Sequence, residues 1–87
     1  MSGTVTILYF AALRERMGRG NENVPLGENI ATVGDLLAAC RQRDTVFDQV
    51  FSQPGQVKVA VNRALGSLET PVKVGDEVAF FPPMTGG

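Results

Sequence analysis

The feature that most restricts the fold of this chain is a proline pair, Pro82 and Pro83, that directly follows an apolar segment. Proline has a fixed φ and lacks a backbone N–H, so a β-strand cannot continue its pairing through the two residues. The residues after the pair are Met84, Thr85, Gly86 and Gly87. We therefore expect a folded domain at residues 1–81 and an extended, flexible tail at residues 82–87, which spans roughly 20 Å at about 3.3 Å per residue.

The two glycines at the end of the tail indicate a function for it. Neither has a Cβ, so the segment could enter a narrow enzyme channel and a reagent could reach the carbonyl of Gly87 with little hindrance. The alternative is a frayed chain end, since termini are commonly disordered. Because the glycines follow an apolar strand and a proline pair, we favour a functional tail. This interpretation requires Gly87 to be the last residue of the mature chain.

The composition limits the possible partners. Eighty-seven residues, 44% of them hydrophobic, suffice for one small domain with a core. The net charge is −1 and no basic run is present, so a nucleic-acid surface is not expected. No apolar stretch approaches the roughly 20 residues of a bilayer-spanning helix, and the first residues lack a signal-peptide pattern. We expect a cytoplasmic protein without a membrane partner.

The chain also lacks the residues of several kinds of catalytic site. It contains no histidine and a single cysteine, so it cannot form a Ser–His or Cys–His pair, a structural zinc site or an internal disulfide. Cys40 falls on the apolar stripe of a predicted helix, which favours core packing over a nucleophilic role. We therefore expect no bound metal or cofactor, and we expect a partner to supply the catalytic machinery.

Hydrophobic periodicity predicts the secondary structure. It indicates strands at residues 4–10, 24–26, 57–61, 64–65 and 77–81, helices at 11–17, 32–43 and 46–51, and a loop at 18–23. The main helix, at 32–43, begins with a capping-box pattern, Thr32 and Asp35. This order of elements predicts an α+β domain, a mixed sheet packed on one main helix, as in the ubiquitin-like β-grasp fold.

Strand alternation predicts an apolar patch on the outer face of the sheet. In the first strand Val5, Ile7 and Tyr9 share the inner face, which leaves Leu8 and Phe10 outside. In the last strand the same argument places Ala79 and Phe81 outside. The first and last strands are neighbours in a β-grasp sheet, so these four residues would form one interface beside the tail. The alternative is that other parts of the chain cover them.

Four charged residues form a further surface feature: Arg14, Glu15, Arg16 and Arg19. We expect them to lie on a solvated face. The alternative is that they contact an acidic partner at the rim of an interface.

The sequence resembles the small, sulfur-carrying subunit of molybdopterin synthase. The specific part is Gly-Asp-Glu-Val at 75–78, followed by Phe-Phe-Pro-Pro at 80–83 and Gly-Gly at 86–87. Phe-Ala-Ala-Leu-Arg-Glu at 10–15 and Ala-Val-Asn at 60–62 fit the same family. Met84 stands where many members carry a smaller aliphatic residue.

The resemblance implies a chemistry for the tail. An E1-like adenylating enzyme would activate the Gly87 carboxylate with ATP and magnesium, and a sulfur donor protein would convert the adenylate into a thiocarboxylate. The carrier would dock on the large subunit of molybdopterin synthase, in a heterotetramer, with Pro82 to Gly86 inserted into that subunit's active site. Its sulfur would pass to cyclic pyranopterin monophosphate and build the molybdopterin dithiolene. The carrier would then be a non-catalytic, sulfur-donating subunit of a sulfurtransferase.

The resemblance also implies that Phe10, Leu65 and Phe81 contact the large subunit. Strand alternation places Phe10 and Phe81 in the outer patch without reference to the family, whereas Leu65 rests on the resemblance alone. Three alternative functions share the fold: a sulfur carrier for thiazole or tRNA thiolation, a ubiquitin-like protein modifier joined through Gly87, and an interaction module with a disordered end.

Overall fold

A computed structural model of the chain describes residues 3–52 and 57–82. Its elements follow one another as β1 (Thr4–Tyr9), α1 (Ala11–Met17), β2 (Asn21–Pro25), α2 (Val33–Arg43), α3 (Thr45–Val50), β3 (Lys58–Val61), β4 (Ala64–Gly66) and β5 (Glu77–Phe81). The tail predicted at 82–87 lies outside the described residues except for Pro82. None of the helices within the described ranges is long and apolar enough to cross a membrane.

The strands form one mixed sheet in the order β2-β1-β5-β3-β4. The central pair, β1 and β5, is parallel, and every other neighbouring pair is antiparallel. The parallel pairing joins the first and last strands of the domain. This architecture confirms the predicted α+β, β-grasp fold.

The core lies between the inner face of the sheet and the helices. The inner face contributes Val5, Ile7 and Tyr9 from β1 and Val78 and Phe80 from β5, all nearly inaccessible to solvent. Helix α2 contributes the predicted apolar stripe, which consists of Val33, Leu36, Leu37 and Cys40. Phe47 of α3 and Phe51, which directly follows α3, add two stacked rings. The inward positions predicted from alternation are therefore confirmed for both central strands.

The predicted capping box begins α2. The Thr32 hydroxyl accepts a hydrogen bond from the Asp35 N–H at 3.2 Å, and the Asp35 carboxylate accepts one from the Thr32 N–H at 3.2 Å. A further bond from the Ala31 N–H helps to hold the pKa of Asp35 below its ordinary value. Two helix-terminal N–H groups that would otherwise lack partners are satisfied in this way.

The structure corrects the predicted strand boundaries. Strand β1 ends at Tyr9 because Phe10 is the N-cap of α1. The predicted loop at 18–23 is wrong in its second half, since β2 already begins at Asn21 and pairs with Leu8 at that end. Asparagine has a low β-propensity, but the ladder to β1 outweighs it here. Strand β2 also ends at Pro25, one residue earlier than predicted, on the edge of the sheet.

Candidate functional site

The outer face of the sheet carries a row of apolar side chains at right angles to the strands. The register pairs Leu8 of β1 with Ala79 of β5, Ala79 with Ala60 of β3, and Ala60 with Leu65 of β4. Residues paired in this way point to the same face. The apolar row therefore crosses four strands, and it ends at Leu65, whose side chain is 79% exposed.

An aromatic pair lies beside the apolar row. Phe10 and Phe81 stack with ring centroids 4.8 Å apart and ring planes 8° from parallel. The Phe10 N–H donates to the Phe80 carbonyl at 3.2 Å, which holds the end of β1 against β5. Ala11 then has a φ of +53°, a left-handed conformation that is unusual for a residue with a Cβ. This sharp turn begins α1 and leaves the Phe10 ring on the outer face, 41% exposed.

The aromatic pair and three residues of the apolar row, Leu8, Ala79 and Ala60, enclose a groove of about 400 Å³, and Leu65 lies outside its lining. Its other lining residues include Arg63 and Glu77, whose Nε and Oε1 atoms are 3.9 Å apart. An exposed ion pair at this distance contributes little to stability. The groove therefore combines apolar walls with two charged groups that remain available to a partner.

The structure brings together all five residues that the sequence analysis assigned to partner binding. Ala79 faces outward as strand alternation predicts, and it is only 8% exposed because a methyl group is short beside its larger neighbours. Ala60 was missed. The available signal was period-two alternation in Val59-Ala60-Val61, which places Ala60 on the face opposite the two valines. Contact with a partner stays a prediction for all of these residues.

The groove lies next to the point where the chain leaves the sheet. Phe81 is the last residue of β5, and Pro82 follows it directly. The predicted tail-insertion residues Pro83, Met84, Thr85 and Gly86, and the predicted reactive residue Gly87, lie outside the described residues. The five residues from 83 to 87 could span at most about 17 Å from Pro82.

One member of the predicted solvated charge group has a structural role instead. Arg19 donates through Nε and Nη2 to the Glu22 carboxylate at 3.0 and 2.8 Å, and through Nη2 to Asp44 at 2.9 Å. Its guanidinium carbon lies 6.0 Å from the centre of the Tyr9 ring. The Tyr9 hydroxyl also donates to Glu22. Arg19 thus links β2 to the junction of α2 and α3, which the sequence analysis did not foresee.

The pKa values of Asp44, Arg19 and Tyr9 are shifted from their ordinary values. The Arg19 hydrogen bond is the main reason why the pKa of Asp44 lies below its ordinary value. Hydrogen bonding to Glu22 raises the pKa of Arg19, and burial, followed by the bond to Glu22, raises the pKa of Tyr9. Asp44, Arg19 and Tyr9 keep their usual charge near neutral pH. The hydrogen bonds of Arg19 therefore hold elements together, and these three groups offer no acid or base for catalysis at that pH.

Cys40 lies on the inner side of α2 and is buried. Burial raises the pKa of its thiol to about 11, which leaves little thiolate near neutral pH. Within residues 3–52 and 57–82, no group of three acidic, cysteine or histidine side chains is arranged to hold a metal ion. The outer face and the tail that follows it are therefore the candidate functional site.

Comparison with known proteins places the chain in a family. The sequence model of the ThiS family matches residues 7–87. The molybdopterin synthase sulfur carrier subunit of Haemophilus influenzae is 36% identical over 83 residues, which cover 95% of this chain and 99% of that protein.

Two solved structures extend the comparison. SAMP1 of Haloferax volcanii, a small archaeal modifier protein, superposes with a TM-score of 0.76 at 32% identity, covering 98% of this chain and all of that one. A chain in the protein–protein complex of subunits 1 and 2 of molybdopterin-converting factor from Helicobacter pylori gives a TM-score of 0.59 at 27% identity, with 97% and 99% covered. The chain therefore belongs to the ThiS family of β-grasp proteins, with molybdopterin synthase sulfur carrier subunits among its relatives.

Proposed function

We propose that this protein is the sulfur carrier subunit of a molybdopterin synthase. The observation that carries the proposal is the apolar groove, which ends at Phe81 immediately before the predicted tail. A partner that covers this groove would receive the root of the tail at the edge of the contact. The similarity to sulfur carrier subunits over nearly the whole chain supports the same assignment.

In this proposal the mature chain ends at Gly87, whose carboxylate carries the sulfur. A carboxylate is a poor electrophile, so an E1-like adenylating enzyme first joins it to AMP from ATP, with magnesium, and releases pyrophosphate. Sulfur at the oxidation level of sulfide, supplied by a donor protein, then displaces AMP and leaves a thiocarboxylate; a persulfide donor would also require a two-electron reductant such as a thiol. The thiocarboxylate sulfur attacks cyclic pyranopterin monophosphate and forms a thioester, and water then cleaves the acyl C–S bond, which leaves the sulfur on the pterin and regenerates the Gly87 carboxylate. Two such transfers complete the dithiolene of molybdopterin.

The partner that we propose for the groove is the large synthase subunit, in a heterotetramer with one carrier at each end of a large-subunit dimer. Phe10, Leu65 and Phe81 would be the apolar anchors, with Leu8 and Ala79 between them. The complex of subunits 1 and 2 from Helicobacter pylori supports a partner of this kind. We propose that the activating enzyme uses the same groove. A carrier that moves between two enzymes must then bind each of them reversibly.

The carrier needs no catalytic residue of its own in this scheme. Its tail would hold the sulfur inside a partner's closed site, where confinement raises the effective concentration of the nucleophile and excludes water. The absence of histidine from the sequence fits such a passive role. We therefore assign this chain as the sulfur-donating, non-catalytic subunit of a sulfurtransferase.

The test is the intact mass of the chain after incubation with ATP, magnesium, the cognate activating enzyme and a sulfur source. We expect a gain equal to the difference between one sulfur and one oxygen atom. Removal of Gly87, or addition of one residue after it, should abolish this gain and leave the thermal unfolding midpoint unchanged. One residue added before Met1 is the matched control and should load normally. Normal loading of either altered tail would refute the proposal.

A second candidate function is protein modification, which the similarity to a small archaeal modifier protein favours. It uses the same adenylated glycine but transfers the acyl group to lysine side chains. In the same reaction mixture, supplemented with cell extract, it predicts adducts joined through an isopeptide bond to Gly87. A third outcome is a thiocarboxylate that supports thiazole synthesis or tRNA thiolation but does not form the dithiolene with the large subunit. That outcome would indicate a sulfur carrier for another pathway.

A further inference from the structure

The hairpin that carries Leu65 is joined by a tight turn of two residues, Asn62 and Arg63. Strand pairing closes around them from Val61 to Ala64, and their φ angles are +52° and +70°. Two positive φ angles in succession are typical of a type I′ turn, which matches the twist of paired strands. Asparagine tolerates this conformation better than most residues, whereas arginine has no such advantage.

Asn62 is attached to the start of β5 by three hydrogen bonds. Its side-chain Nδ2 donates to Asp76 Oδ1 at 3.0 Å, and its Oδ1 accepts from the Glu77 N–H at 3.0 Å. Its own N–H donates to the Glu77 carbonyl at 2.8 Å. Reversal of the amide would place a donor against an N–H and an acceptor against a carboxylate, so the two side-chain bonds fix its orientation.

Asp76 is also held by hydrogen bonds to both its side chain and its backbone. It is 6% exposed and is the only buried charged side chain among the described residues. Its Oδ2 accepts from the Lys73 N–H at 2.8 Å, and its backbone carbonyl accepts from the Thr6 N–H at 3.0 Å. Asp76 therefore connects Asn62 to β1 as well as to β5.

These bonds matter for β4, because the ladder between β3 and β5 holds only the first strand of the hairpin. Strand β4 has three residues and lies at the edge of the sheet, paired with β3 alone among the described strands. Leu65 and Arg63 project from it and are largely exposed. The Asn62–Asp76 link ties the hairpin to β1 and β5, the two strands that carry the rest of the apolar row.

We propose that Asn62 and Asp76 are positioning residues for docking: their link holds Leu65 in line with Leu8, Ala79 and Ala60, so that one rigid surface meets the large subunit. This inference rests on the proposed function and deepens it. Without the link, Leu65 would occupy its docking position for only a fraction of the time. The apparent dissociation constant would rise in inverse proportion to that fraction.

The test variant is Asn62→Gly, which permits the positive φ and keeps the backbone N–H but removes both side-chain bonds. Binding of the full chain to the cognate large subunit is measured by calorimetry for the wild type, Asn62→Gly, Leu65→Ala and the double variant. We expect Asn62→Gly to raise the dissociation constant about tenfold. In the Leu65→Ala background it should change the constant by less than about twofold, because the positioned side chain is already absent.

Thr32→Ala is the control for general destabilisation, because it removes the cap of α2 away from the outer face. It should lower the unfolding midpoint and leave the dissociation constant unchanged. If Asn62→Gly does not fold, Asn62→Asp replaces it, since a second carboxylate facing Asp76 repels it and breaks the link; the same tenfold loss is expected.

Wild-type affinity in the folded Asn62 variant would overturn the inference. So would additive effects of the two substitutions, or an equal loss of affinity in Thr32→Ala. Failure of the wild-type chain to bind the large subunit would overturn the proposed function, and the inference with it. Wild-type binding with an unaffected Asn62 variant would overturn the inference alone.

Discussion

Replacement of Phe81 by alanine should lower the affinity for the large subunit much more than it lowers the stability of the fold. The ring stacks on Phe10 on the outer face and does not belong to the buried core cluster. A partly exposed aromatic pair is worth about 1 kcal/mol, so we expect Phe81→Ala to lower the free energy of unfolding by about that amount. If Phe81 is an interface anchor, its loss should cost about 2 kcal/mol or more in affinity for the large subunit, about thirtyfold in the dissociation constant.

The neighbouring residue provides a matched control, since Phe80 has the same side chain on the opposite face. Phe80 is 0% exposed and packs edge-on against Phe51, with ring centroids 5.2 Å apart. Phe80→Leu should lower the free energy of unfolding by about 1–3 kcal/mol and leave the affinity of the folded protein near that of the wild type. Calorimetric titration and denaturant unfolding measure the two quantities. Unchanged affinity of Phe81→Ala, together with a loss of stability as large as that of Phe80→Leu, would refute the assignment of Phe81 to an interface.

Two further predictions concern the buried thiol and the charge cluster. Cys40 should react slowly with a thiol reagent at pH 8 and quickly once the chain is unfolded, and Cys40→Ala should accept sulfur at Gly87 normally; failure of loading in a folded Cys40→Ala would show that the thiol takes part. The pKa of Asp44 in the folded state lies below its unfolded value, chiefly through Arg19, so its stabilisation is present above about pH 4, the usual unfolded pKa, and is lost as the pH falls through the folded pKa. Asp44→Asn should therefore have a lower unfolding midpoint than the wild type at pH 7, and the two midpoints should converge towards pH 2; parallel curves would contradict this reasoning.

The elements that could be predicted from the sequence are those with a local signal. The inward side chains of β1 and β5 follow from period-two alternation, and the start of α2 follows from the spacing of Thr32 and Asp35. The strands predicted at 57–61 and 64–65 leave only Asn62 and Arg63 between them, which is the length of a tight hairpin turn. The outer patch of Leu8, Phe10, Ala79 and Phe81 was predicted by combining alternation with the strand order of the β-grasp fold.

Other features depend on residues far apart in the chain. Asn21 and Glu22 have no local strand signal, and only their ladder to β1 makes them part of β2. Arg19 looks like an ordinary surface charge until Asp44, 25 positions later, is brought to it. Ala60 joins the apolar row only because the register sets it between Ala79 and Leu65.

The sequence by itself determined the helices and most of the strands, which side chains of the central strands face the core, and where pairing must stop at Pro82. Each of these follows from the geometry of a few consecutive residues. Only the tertiary structure decided which outward residues share a row, that Ala79 is the floor of a groove rather than its rim, and that Asn62 is bonded to Asp76. These outcomes depend on strand register, which is fixed by the packing of the whole core and shifts every side chain to the other face if it slips by one residue.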